Sequence, residues 1–232
     1  MQMMRMELVL GFVVLALGAP GGTRLAGLPL IPPAAQPSPT QTTTRPMVLV
    51  ELFTSEGCSS CPPADNLLRA IDGKRTKEGS LIVGISEHVN YWDHGGWKDP
   101  FDSSTITDRQ NDYGQKFHLD SVYTPQMVID GETQVSGNDP HALLNALQKA
   151  EAEPSATLQI VSATVEGDAI VAKVSITGDL PKHGADLFAV VAQDETTTQV
   201  TGGENKGKTL LNVSVARNLV KVTKVHEAGE TT

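Results

Sequence analysis

The chain is 232 residues long and acidic, with 27 Asp and Glu against 18 Lys and Arg and a formal net charge of −9. No basic cluster is available to face phosphates, so nucleic acid and anionic membrane surfaces are poor partners, and the acidity reads first as solubility. The 39 % of hydrophobic residues is enough for a core. Once the N-terminal segment is set aside, about 185 residues remain, room for one large domain or one domain and a smaller companion.

Residues 1–19 read as a secretory signal. Arg5 gives a weak positive start, partly cancelled by Glu7, and Leu8 to Leu17 is an apolar run too short to cross a bilayer, which takes ~20 residues. Ala16-Leu17-Gly18 supplies small residues for cleavage near Gly18 or Ala19. The run holds no cysteine to carry a lipid. A periplasmic or secreted location is expected, and the membrane enters only if the segment stays uncleaved as an anchor. Residues 20–46, dense in Pro, Gly, Ser and Thr, read as a linker.

Residues 47–53 form an apolar run of β-formers, a buried strand, with a turn over 54–57. From Cys58 to about Lys74 a helix is predicted. Ala64, Leu67, Leu68 and Ile71 share its buried face, and Pro62 and Pro63 fall in its first turn. A second buried strand covers 81–86. An aromatic- and histidine-rich segment follows over 87–100, then a polar, surface-facing helix over 105–117. Residues 126–129 and 133–136 pair around an Asp130-Gly131 turn. Asn138 or Asp139 caps a helix with Pro140 at its first position, running to about Glu151 and burying Leu143, Leu144 and Leu147. This is an α/β order, that of a thioredoxin-like central sheet with flanking helices, and it assigns 47–153 to that domain. From Ala156 the pattern becomes strand-like alternation broken by turns. A smaller all-β, sandwich-like module is therefore expected over 154–225, with a polar tail over 226–232.

The two cysteines, Cys58 and Cys61, stand three apart. A bridge closing so small a loop stabilises little, so the pair reads as chemistry rather than as a staple. At a helix N-terminus, unpaired amides and the dipole favour a thiolate. Cys58 is then the exposed nucleophile, and Cys61, one turn into the helix, the resolving thiol. A zinc site needs a second ligand pair, and the chain has no other cysteine. Glu56 opposes thiolate formation, while Ser59 and Ser60 offset it in part, so Cys58 is expected to be a less extreme nucleophile than those of the strongest oxidants. Thr124-Pro125 precedes a strand where a cis proline beside the cysteines would leave backbone free to pair with an extended substrate; an ordinary trans proline is the alternative. His88 and Trp92, with Asp93 and His94, follow a strand's carboxyl end and are placed to shape a substrate cleft. The alternative is that the aromatics pack and the histidines lie on the surface.

Residues 202–209, Gly-Gly-Glu-Asn-Lys-Gly-Lys-Thr, match a phosphate-loop pattern. The sequel alternates like a strand instead of opening a helix, so the segment reads as a glycine-rich loop and no nucleotide is expected. No cofactor and no metal is expected either.

Residues 50–65, from Val50 through Cys58-Ser59-Ser60-Cys61-Pro62-Pro63 to Asp65, closely resemble the opening of a widespread bacterial family of exported proteins with a thioredoxin-like domain of unknown function. His88–Asp93, Gly96–Phe101, Val122–Met127 and Gly203–Asn205 are similar to further blocks of that family, in order, so the resemblance spans about 47–220. It implies a thioredoxin-like half followed by a β-rich half, and no particular substrate. Asn90 departs from the usual Asp. Members tend to continue past Thr232 with more strands, which implies an incomplete β module with an exposed edge here.

The reading that follows is an exported thiol–disulfide oxidoreductase acting on protein or small-molecule thiols and disulfides, with Cys58 and Cys61 catalytic and Thr124, Pro125, His88 and Trp92 at the substrate. Two alternatives stand beside it. One is a thioredoxin-fold binding module without turnover. The other is a copper chaperone using the cysteines and a nearby histidine.

Overall fold

The computed structural model describes residues 8–14, 47–153, 156–167, 169–180 and 182–231. The elements in chain order are β1 (Leu8–Val14), β2 (Met47–Thr54), α1 (Pro62–Ile71), β3 (Leu81–His88), α2 (Ser104–Lys116), β4 (Gln126–Ile129), β5 (Thr133–Ser136), α3 (Pro140–Ala152), β6 (Thr157–Glu166), β7 (Ala169–Thr177), β8 (Ala185–Gln199), β9 (Thr209–Val225) and β10 (Gly229–Thr231). The fold is mixed α/β. Among the described residues one sheet has the order β1-β8-β9-β3-β2-β4-β5 and a second has the order β10-β7-β6.

Strand β2 reads as a continuous apolar run because it is covered on both faces. Alternation sends Val48, Val50 and Leu52 into one cluster with Ala64 and Leu68 of α1 and Leu143 and Leu147 of α3. Leu49 and Phe53 enter the opposite cluster, with Ile106 and Tyr113 of α2 and Val190 and Leu219 of β8 and β9. The α1 crossover makes β2 and β3 parallel, and β4 returns antiparallel to β2. Truncating a core member such as Leu68 to Ala removes contact in this layer and costs ~2–5 kcal/mol.

Three expectations are corrected. The helix over 105–117 is not surface-facing: Arg109, Gln110 and Tyr113 are buried. Their polarity is matched from the sheet. Arg109 Nε donates to Glu51 (2.6 Å), Tyr113 Oη to the other oxygen of Glu51 (2.6 Å), and Gln110 Nε2 to Gln126 (2.9 Å). The expected β module over 154–225 is divided. Strands β8 and β9 extend the large sheet, β9 meeting β3 in parallel at Ser86–Val215, while β6 and β7 form the small one. Pairing with β9 satisfies backbone groups of β3 that an edge would leave open. The polar C-terminus is strand as well: β9 runs to Val225 and β10 pairs with β7, because backbone pairing holds strands whatever their side chains.

Strand β1, within the expected signal, lies parallel to β8 at the sheet's edge. Residues 1–7, 15–19 and the linker 20–46 lie outside the described residues.

Candidate active site around the Cys58–Cys61 disulfide

Two prolines in succession lack the amides that an inner turn needs, so they fit only where those amides go unpaired in any case. Helix α1 accordingly starts at Pro62, with Cys61 as its N-cap. Cys58 lies in the turn before it rather than at the helix start, and Cys61 lies at the cap rather than one turn inside. The turn is built by the Cys58 amide donating to Ser55 O (3.1 Å) and the Cys61 amide to Cys58 O (3.2 Å), and the amides of Ala64 and Asp65 then take Cys61 O. The two sulfurs are joined in a disulfide, with the Cα atoms 5.4 Å apart. Both cysteines have 0 % exposure. Cys58 is therefore not the open nucleophile expected from the sequence, because loops from three parts of the chain close over the turn.

The first loop follows β3. Ser86 and His88 are two apart on one strand and so face the same way. His88 Nδ1 lies 2.8 Å from Asp99 Oδ2, and its Nε2 lies 3.2 Å from Ser86 Oγ. The same Asp99 oxygen accepts the Glu56 amide (2.7 Å) and the Ser55 hydroxyl (3.3 Å). Asp99 thus anchors the turn that carries Cys58. Burial alone would lower the pKa of His88, but the charge and hydrogen bond of Asp99, with Asp65 and Glu56 nearby, leave it raised. Burial would raise Asp99, yet His88 holds it below the usual value. His88 has 0 % exposure and both ring nitrogens engaged, so it sits beneath the turn rather than lining a cleft. His94 lies exposed on the 3-10 turn Asp93–Gly95.

Trp92 and Thr124 do meet: the indole Nε1 donates to Thr124 Oγ1 (2.7 Å). The Thr124–Pro125 peptide is cis. Gly137 shows how closely this loop nests on α1, since a Cβ there would come within 2.9 Å of both Ala64 Cβ and Pro125 Cβ. Asn138 Nδ2 donates to Ser60 O (2.8 Å), tying the same region to the cysteine turn.

The third loop, 200–208, joins β8 to β9. It holds residues 202–208 of the phosphate-loop match, whose last residue, Thr209, opens the strand β9 and not a helix. Asn205 is buried and reaches the backbone of Glu56 and Cys58, while Glu204 accepts the Ser59 amide (3.1 Å). The Glu56 carboxylate is buried and bound by Trp97 Nε1 (3.1 Å) and Asn212 Nδ2 (3.4 Å), and burial raises its pKa. Asp65, one turn beyond Cys61, accepts from Thr54 Oγ1 (2.7 Å), and burial pushes its pKa up to about 6. A cleft of about 480 Å³ opens between α1, at Pro62, Asn66 and Arg69, and the chain entering β9, at Lys208 and Leu211. Among the described residues no group of three metal-ligating side chains is assembled, and no helix is long and apolar enough to cross a membrane.

Residues 49–232 match the model of a family described as "Protein of unknown function (DUF1223)". The chain belongs to this family. This DUF1223 member is also similar to the crystal structure of protein AGR_C_4864 from Agrobacterium tumefaciens, a structural genomics target. The two share 28 % identity and a TM-score of 0.62, over 80 % of this chain and 78 % of that one. None of the curated proteins matches.

Asp65, Asp99, Glu204 and Asn205 did not stand out as chemistry in the sequence. Asp65, Asp99 and the Gly203–Asn205 run lie in blocks that carry the family resemblance, which was the available signal. Nothing in their residue types showed that they converge on one turn.

Proposed function

We propose that this protein is an exported thiol–disulfide oxidoreductase with a thioredoxin-like arrangement. The observation that carries the reading is the Cys58–Cys61 disulfide at the N-cap of α1, just after the end of a central parallel strand. The order from β2 to α3 supports the thioredoxin-like assignment. The N-terminal signal pattern supports export to the periplasm or beyond, and its cleavage would remove β1 and leave β8 as the sheet's edge.

In the oxidised protein a substrate thiolate attacks Cys58 Sγ and breaks the bond to Cys61, which leaves as a thiolate at the positive end of α1. A second substrate thiolate attacks the substrate sulfur of that mixed disulfide and releases Cys58. The substrate dithiol has then lost two electrons and two protons to the cysteine pair. In the reverse direction Cys58 attacks and Cys61 resolves. Asp65, buried one turn from Cys61 and with its pKa pushed up by burial to about 6, is suited to exchange the proton of that thiol. His88 and Asp99 act at a distance by holding the turn.

Copper carriage is the weaker reading, because both nitrogens of His88 are committed to Asp99 and Ser86. A binder without turnover is separated by experiment. Cys61→Ser should accumulate mixed disulfides through Cys58 when incubated with reduced and oxidised thiols, and Cys58→Ser should not. Absence of mixed disulfide in the Cys61→Ser protein defeats the enzymatic reading.

A further inference from the structure

The buried state of the disulfide needs an explanation if the pair is to react. Nothing exposes either sulfur, and the loop lying over the turn comes from the far end of the chain. Asn205 donates from Nδ2 to the carbonyl oxygens of Glu56 (2.8 Å) and Cys58 (2.9 Å), the latter 147 residues away. Its Oδ1 accepts from Lys208 Nζ (2.8 Å). The side chain is fully buried and all three bonds are made, so it is a fixed link and not a surface contact. Beside it the exposed Glu204 places its carboxylate on the amide that follows Cys58. The loop is internally braced, with Val200 and Lys208 bonded amide to carbonyl, Gly207 bonded to Val200, and Lys206 to Gly203. It can therefore move as a unit once these latches release.

We propose that the β8–β9 loop is a cover over the Cys58–Cys61 pair, latched by Asn205 and Glu204, and that these two residues control access to the disulfide. The proposal rests on the thiol-exchange reading above and specifies how that site is reached. The latch also senses redox state. A dithiol reductant gives two electrons and two protons to the pair, the Cys58–Cys61 bond breaks, and the reductant closes to its own disulfide. A thiolate on Cys58 then stands on the residue before the Ser59 amide that the Glu204 carboxylate binds. The like charges favour opening of the reduced form.

The test uses the oxidised full chain, dithiothreitol as reductant and timed alkylation to count free thiols. Asn205→Ala should be reduced roughly five- to tenfold faster than wild type, the factor one ordinary hydrogen bond supports. Glu204→Gln keeps the acceptor and removes the charge. It should lower the apparent pKa of the Cys58 thiol, read from alkylation rate against pH, which a packing defect would not do. In the wild type, hydrogen exchange of the amides over 201–208 should be faster in the reduced protein than in the oxidised one. Reduction of Asn205→Ala within about twofold of the wild-type rate overturns the proposal. So does an unchanged thiol pKa in Glu204→Gln, and so does equal loop exchange in the two states. These readouts do not depend on a physiological substrate. If Cys61→Ser traps nothing while the cover behaves as described, the enzymatic reading has failed and the cover has not.

Discussion

His88 Nδ1 lies 2.8 Å from Asp99 Oδ2, and that one carboxylate oxygen also receives the amide of Glu56, two residues before Cys58. A buried ion pair on the β3 side thus holds the backbone that presents the cysteines. Breaking it leaves an uncompensated buried charge, so Asp99→Asn and His88→Ala should each cost ~3–5 kcal/mol in chemical denaturation. Each should also perturb the reduction potential of the disulfide.

The pair sets a pH window. His88 has its pKa raised above 6.5, so its contribution is fully present below that value and is lost as pH climbs through the raised one. Asp99 is lowered below 3.8, so its contribution is present above 3.8 and is lost as pH falls through the lower value. Thermal melting of the wild type against pH should show both flanks, and Asp99→Asn should flatten them.

Asp65 works with the opposite sign. Its pKa rises from 3.8 to about 6, so the folded protein holds that proton more tightly than the unfolded chain. Its contribution to stability is greatest below 3.8 and falls as pH rises toward 6, by up to about 3 kcal/mol. Asp65→Asn should therefore gain stability at pH 8 relative to the wild type, by about 1–3 kcal/mol, with little gain at acid pH. It should also remove a step near pH 6 from the pH profile of disulfide exchange. A profile identical to the wild type would exclude Asp65 from proton transfer.

Across the sheet, Glu51 binds both Arg109 and Tyr113, and Glu87 lies 3.8 Å from Arg109. Burial, with Glu51 beside it, pushes the pKa of Glu87 well above the carboxylate range. Arg109→Met alone should cost ~3–5 kcal/mol, because Glu51 loses its counter-charge in an apolar layer. Adding Glu51→Leu should restore much of that loss, as urea titration of the double variant would show.

Gly202 packs its backbone against the loop carrying Trp97. A Cβ at 202 would collide with the Gly96 carbonyl oxygen, a backbone atom that cannot swing aside. Gly202→Ala should displace the 200–208 loop, costing ~1–3 kcal/mol, and should speed dithiothreitol reduction in the same direction as Asn205→Ala.

Much of the fold and part of the site were readable along the chain, because local chemistry decided them. Consecutive apolar β-formers marked β2 and β3, helical spacing of Ala64, Leu68 and Ile71 marked α1, and Asp139-Pro140 marked the start of α3, whose Ala142 amide does bond the Asp139 side chain. The Cys58–Cys61 pairing followed from spacing. The tertiary structure decided what depends on partners distant in sequence. A polar helix became buried because Glu51 and Gln126 were waiting on the sheet, and two long strands from the C-terminal half joined the central sheet because β3 had backbone groups to satisfy. The cysteines disappeared from solvent because Asn205 and Asp99 fold back onto their turn. Periodicity records which face of an element is apolar; it does not record which other element will cover it, and that is a matter of long-range pairing and burial.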